Sequence, residues 1–244
     1  PRTDFFLRRL RAGQETQSRR LQFAIVGTPA NQQLLKMFGR HLPVIQNRLL
    51  NFFVNHQKIE QSSVCYWLPL PTIESTDLCD EEPVLSFTDS EEEMGKRLLD
   101  QMGVPEGAWF VCFHARDDAY INSMLPGNTV YRSDYRNCSI DSYVEAMSYI
   151  TSQGGYAVRV GADVNGSLSD LGDPHIIDYA WNHWSDFGDI YLAAKARFFL
   201  GGPSGLAQAS MIFGVPVALA SMVPLPPHAV GPNSLYLPVL LEDR

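Results

Sequence analysis

Apolar positions in this chain recur in two rhythms. Leu21 to Gly27 (LQFAIVG) is a short β-rich run closed by glycine, whereas Asn31 to Phe53 places Leu34, Leu35, Met37, Phe38, Leu42, Ile45, Leu49 and Leu50 at helical spacing. That pattern predicts a strand and then one or two helices. From Tyr66 to Gly95 basic residues vanish while nine acids gather between Glu74 and Glu93, with Pro69, Pro71 and Pro83 among them. Most of this stretch reads as surface loop, and helical spacing resumes over Glu91 to Met102.

From Ala108 the pattern becomes regular. Trp109 to Phe113 (WFVCF) is a continuous apolar run, as expected of a strand buried on both faces. Ser139 is placed to cap a helix whose inward face is Ile140, Tyr143, Met147 and Ile150, ended by Gly154 and Gly155. Tyr156 to Val160 and His175 to Tyr179 read as strands. Ser185 then heads a helix with Phe187, Ile190, Tyr191 and Ala194 inward, followed by a strand over Arg197 to Leu200. Leu206, Ala209 and Phe213 mark a further helix, and Val217 to Ala220 is the last clear strand. Strands alternating with helices predict an α/β fold, a Rossmann-like parallel sheet with helices on both faces. No internal repeat is visible. The division falls near residue 104, with a smaller portion over 1–104 and the regular sheet over 105–244.

Composition narrows the classes. With 244 residues, 45% hydrophobic and 19% charged, the chain is long enough for a sizeable core and too ordinary for a fibrous or low-complexity protein. The net charge of −8 divides into +4 over residues 1–20, where six arginines lie, and −12 over the rest. So acidic a protein is not a nucleic-acid binder, since phosphate neutralisation needs a basic face. The Arg-rich start reads as a solvated or loosely packed helix, with peripheral membrane contact as the other reading. Cys65, Cys79, Cys112 and Cys138 form no C-x-x-C pair, which points to reduced thiols and a cytoplasmic setting. The chain opens on Pro1 without a basic-then-apolar leader, so a missing start or a fragment is expected. Phe198 to Leu241 holds no charged residue in 44 positions, yet seven prolines interrupt it, so it reads as interior rather than a membrane span.

In parallel sheets ligands sit beyond the carboxyl ends of the strands, and five such places carry chemistry. His114-Ala115-Arg116-Asp117 follows WFVCF directly. The Arg116 guanidinium can fork onto phosphate oxygens, or pair with a neighbouring aspartate. Arg136 and Asn137 precede the Ser139 helix, and Arg159-Val160-Gly161 closes a strand; either arginine alone reads equally as a salt bridge. Gly201-Gly202-Pro203-Ser204-Gly205 lies between a strand and a helix, where backbone N–H groups favour an anion. It lacks the spacing of a dinucleotide or P-loop motif. Asp186 suits a helix start, and Asp189 suits a sugar hydroxyl. No D-x-D triplet and no Cys/His ligand cluster appears, so no metal or other cofactor is expected.

Taken in order, HARDDAY (114–120), the run 133–161, IIDYA (176–180), the run 185–217 and the proline-rich tail after it resemble a family of putative bacterial glycosyltransferases. Their catalytic half is the nucleotide-sugar-binding domain of the GT-B fold. H-x-R at 114–116 also looks like the arginine motif of GDP-fucose-using transferases. The resemblance implies a metal-independent transfer of sugar from a nucleotide-diphosphate donor to a glycan or lipid-linked glycan; the expected setting is cytoplasmic, with the Arg-rich start as the route to peripheral contact at the inner face of the membrane. It implies that Arg116, Ser204 and Gly205 face the diphosphate, while Arg136, Arg159 and Asp189 shape the pocket. His114, Tyr120, Asn137, Gly161 and Gly202 complete the implied substrate-binding set. Asp117, next to the donor arginine, is the candidate general base. The family implies a second Rossmann-like half, so residues 1–104 read as a reduced or truncated acceptor portion. The loop GGPSGLAQAS departs from the family in having no polar or acidic residue near Ala207. A nucleotide-sugar epimerase and a non-catalytic binding module are the alternatives.

Overall fold

The computed structural model describes residues 2–13, 24–56, 82–117, 119, 122, 137–168, 171–222 and 234–238. Helix α1 (Arg2–Arg11) is followed by strand β1 (Ala24–Val26), helix α2 (Gln32–Gly39), strand β2 (Val44–Gln46) and helix α3 (Arg48–His56). β1 and β2 pair in parallel as a sheet of their own, Ala24 opposite Val44 and Val26 opposite Gln46. Helical spacing hid β2. Pro43 disfavours helix at Leu42, and the β-branched Val44 and Ile45 then suit an extended backbone.

Helix α4 (Asp89–Gln101) begins with a reciprocal cap, since Glu91 N donates to Thr88 Oγ1 and Thr88 N donates to Glu91 Oε2. Six strands follow: β3 (Phe110–His114), β4 (Tyr156–Arg159), β5 (Ile176–Asp178), β6 (Phe198–Gly201), β7 (Val217–Met222) and β8 (Leu235–Pro238). A 3-10 turn over Ile140–Tyr143, headed by Ser139, leads into α5 (Val144–Ser152). Between β5 and β6 lie α6 (Tyr179–Asn182) and α7 (Asp186–Lys195), and α8 (Gly205–Ile212) joins β6 to β7. The strands run β5-β4-β3-β6-β7-β8, every pair parallel. This is the doubly wound Rossmann order, and its direction reverses between β3 and β6. β8 escaped the sequence pattern because it is an edge strand with Leu235 and Leu237 exposed, ending on a proline that only an edge tolerates.

Alternation along β3 builds both faces of the core. Phe110 and Cys112 join Val158, Phe199, Val217 and Leu192 on one side. Val111 and Phe113 join Ala157, Met147 and Ile150 on the other. A third cluster lies outside α7 and α8, where Ile190, Ala193, Ala209 and Ile212 meet Leu7, Met37, Phe38, Val84 and Leu85. α1 is therefore packed, contrary to the solvated helix its arginines suggest. Arg8 is 4% exposed; its Nε donates to Asp4 Oδ2 at 2.9 Å and its Nη2 to the Ile212 carbonyl at 2.8 Å. Among the described residues no helix is long and apolar enough to cross a membrane.

Candidate functional site

The site is built where the strand order reverses. His114 ends β3 in register with Gly201, and Gly202 N donates to the His114 carbonyl at 3.2 Å. On the other side, Val160 N donates to Phe113 O at 2.9 Å, and His114 Nδ1 lies 3.0 Å from Val160 O. His114, Gly161 and Gly202 thus share one edge, as the alternation predicts. The approach is close. A Cβ on Gly201 would stand 2.2 Å from the His114 carbonyl oxygen, and one on Gly161, whose φ is +135°, would stand 3.0 Å from the His114 ring. Neither position admits a side chain without moving its neighbour.

His114 is half-buried against Phe199. Burial pushes its imidazole below the ordinary value, against the opposing pull of Val160 O. The ring is then neutral, with Nδ1–H donated to that carbonyl and Nε2 left as an acceptor. Two residues on, Arg116 Nη1 donates to Asn137 Oδ1 at 2.9 Å, and Cys138 N donates to Arg116 O at 3.0 Å. The structure therefore brings Arg116 and Asn137 together across 21 positions of sequence. Asp117 accepts from Ala119 N at 3.0 Å and from Asn165 N at 2.9 Å, one bond to each carboxylate oxygen. It ties the loop after β3 to the loop after β4.

Opposite lies the loop after β6. Ser204 caps α8, its Oγ accepting from Ala207 N at 3.2 Å. Among the described residues no hydrogen bond takes the N–H of Gly205 or Leu206. Those two donors and the positive end of the α8 dipole face the crevice side of the sheet, where an anion is favoured.

Two sequence candidates are turned inward instead. Arg159 is 5% exposed, and its Nη1 donates to Gly166 O at 2.8 Å and pairs with Asp178 Oδ2 at 3.2 Å. Its guanidinium organises the loop after β4, the salt bridge that was its alternative reading, because the register of β4 on β5 sets Arg159 opposite Asp178. Asp189 is 4% exposed and accepts from Trp184 Nε1 at 3.0 Å. Burial raises its carboxyl to about 7, against the Trp184 and Gly161 N–H groups that favour the charge. It does not reach solvent as a sugar-hydroxyl acceptor would. Tyr120 and Arg136 lie outside the described residues. Among the described residues no group of three His, Cys, Asp or Glu side chains is placed to hold a metal ion.

The sequence reading passed over an aromatic cleft beside this crevice. Asp163 and Val164 from the loop after β4, with Ala180, Trp181, Asn182, His183 and Trp184 around α6, line a cavity of about 600 Å³. Trp181 is 56% exposed and Trp184 is 47% exposed. The signal was WNHW at 181–184, half of the chain's four tryptophans within four positions among polar residues.

No family model matches the chain, and no curated protein matches it. Among solved structures, a glycosyl transferase family 9 protein from Veillonella parvula DSM 2008 is similar at a TM-score of 0.44 and 10% identity, over 96% of this chain and 66% of that one.

Proposed function

We propose that this protein is a glycosyltransferase that holds a nucleoside-diphosphate sugar at the β3/β6 crevice and passes the sugar to a glycan or lipid-linked glycan. The supporting observation is the juxtaposition of the Arg116 loop with the glycine-lined N-terminus of α8 at the point where strand order reverses. A nucleoside diphosphate leaves with growing negative charge. Arg116 forks onto its phosphate oxygens, while the Gly205 and Leu206 N–H groups meet it from the helix side. Both sets of donors are fixed before reaction, so they stabilise the transition state with little reorganisation. The missing D-x-D triplet leaves this charge to the protein, without a metal. Asp117, bonded to Ala119 and Asn165, holds Arg116 in reach of the phosphates; the proton of the acceptor hydroxyl goes to Asp117 or to the neutral imidazole of His114. The resemblance to bacterial glycosyltransferases over 114–120, 133–161 and 185–217 supports the same reading.

The test is calorimetric binding of nucleoside diphosphates, then donor consumption in excess chelator. Arg116→Ala is expected to weaken binding by ~1.5–3 kcal/mol, the range for a charge-assisted contact. Arg116→Lys recovers only part, since a point charge lacks the fork. Unchanged binding in both variants would place the donor elsewhere. Activity lost in chelator and restored by manganese would overturn the metal-free mechanism.

A further inference from the structure

The crevice accounts for a diphosphate and leaves the rest of the donor without a seat. Beside it stands the cleft of Trp181, His183 and Trp184, two large rings three positions apart and both open to solvent. Single exposed apolar side chains are ordinary, but two tryptophans lining one cleft form a contiguous patch of the kind that marks a binding site.

Three observations connect the cleft to Arg116. First, Asn165 N donates to Asp117 Oδ2 at 2.9 Å, so the cleft wall at Asp163 and Val164 is one hydrogen bond from the loop that carries Arg116. Second, the cleft lies over the ends of β4 and β5, the next two strands on the side of β3 away from β6. At ~4.8 Å per strand the offset from the crevice is about 10 Å, the reach from a diphosphate to the ring at the other end of a nucleotide. Third, the cleft is preorganised. Trp184 is held by its Nε1–H on the buried Asp189 carboxyl at 3.0 Å, and the Asp178 side chain caps the turn that carries Trp181, accepting from Trp181 N at 3.3 Å. A ring fixed in place loses little freedom when a second ring stacks on it.

We propose that this cleft is the nucleobase subsite: the base of the donor stacks on Trp181 and Trp184, and the Asn182 amide, both donor and acceptor, reads its edge. The inference rests on the nucleoside-diphosphate reading above. Stacking supplies affinity for any base, since every base has a π-face. Hydrogen bonding by Asn182 supplies the choice among bases.

The test compares ADP, GDP, UDP and CDP with inorganic pyrophosphate, followed by tryptophan fluorescence on the full chain. One diphosphate is expected to bind best and to quench. Trp181→Ala and Trp184→Ala weaken it about 5- to 150-fold, the effect of losing one stacked ring, and leave pyrophosphate affinity unchanged. Trp181→Phe restores much of the loss, which separates stacking from damage to the fold. Arg116→Ala weakens nucleotide and pyrophosphate alike. Tryptophan variants that bind nucleotide like the unaltered chain, while Arg116→Ala does not, would overturn the subsite and leave the function standing. Quenching by a methyl pyranoside and not by nucleotides would give the cleft to a sugar and overturn it as well. Absence of both nucleotide and pyrophosphate binding would overturn the function, and the subsite with it.

Discussion

Asp189 sits on α7 where a charge is least welcome, surrounded by Cys112, Tyr179 and Gly161 N–H, with Asp186 one turn earlier adding repulsion. Its carboxyl is raised to about 7, so between about pH 4 and 7 the folded chain keeps a proton that the unfolded chain has lost. The stability this gives is present in full below about pH 4 and declines as pH rises through 7. Moving a carboxyl from 3.8 to about 7 corresponds to roughly 4 kcal/mol. Asp189→Asn keeps an acceptor for Trp184 and removes the ionisation. The variant is expected to melt higher than the parent at pH 8 and to differ little at pH 4; parallel pH curves for the two proteins would refute this. His114 works in the opposite sense. Its lowered value means that stability falls as pH drops below the ordinary imidazole range near 6.5. His114→Gln is therefore expected to flatten the acid side of the melting profile and leave the alkaline side as it is.

Specific polar ties join elements that are distant in sequence. Glu91, at the third position of α4, accepts through Oε1 from Gln33, Lys36 and Arg40, all on or just after α2. Burial alone would raise its carboxyl, but these donors and Thr88 N hold it well below the usual carboxylate range. Glu91→Ala removes the acceptor shared by two cations and an amide. A loss of about 1–3 kcal/mol is expected from urea unfolding, because the Gln33 amide loses a buried acceptor while Lys36 and Arg40 turn to solvent; a loss below about 0.5 kcal/mol would show that apolar packing by Met37 and Phe38 alone docks α2. The helix itself was legible in the spacing over Glu91 to Met102, although its start at Asp89 and its Thr88 cap were not. The network was not, because Gln33 and Arg40 lie about fifty residues away and meet Glu91 only once both helices pack on α7.

Across the whole molecule, residues on both sides of position 104 share apolar cores: Met102 and Val104 pack with Phe110, and Leu7 packs with Ile212. Deletion of residues 1–13 uncovers the Ile212 carbonyl and strips Leu7 from its cluster, so the melting midpoint of the sheet itself is expected to fall, followed by circular dichroism. An unchanged midpoint would show that the sheet folds independently of α1. The same shared packing explains why a basic terminus proved to be a wedge. Charge counts along a sequence do not reveal which arginine finds an aspartate one turn away and a carbonyl two hundred residues on.

The sequence by itself determined the alternation of strands and helices from Ala108 to Ala220, because each buried strand and capped helix writes its own local period. It also determined that His114, Gly161 and Gly202 would share an edge, since parallel strands align their carboxyl ends. The tertiary structure alone decided the strand order and hence where the crevice opens. It alone separated Arg116, at the crevice, from Arg159, spent on Asp178, and it turned Asp189 inward to hold Trp184. All three are charged residues close to strand or helix ends, identical in kind to a local reading. What distinguishes them is the partner that register and packing bring to each side chain, and that is fixed only when distant elements meet.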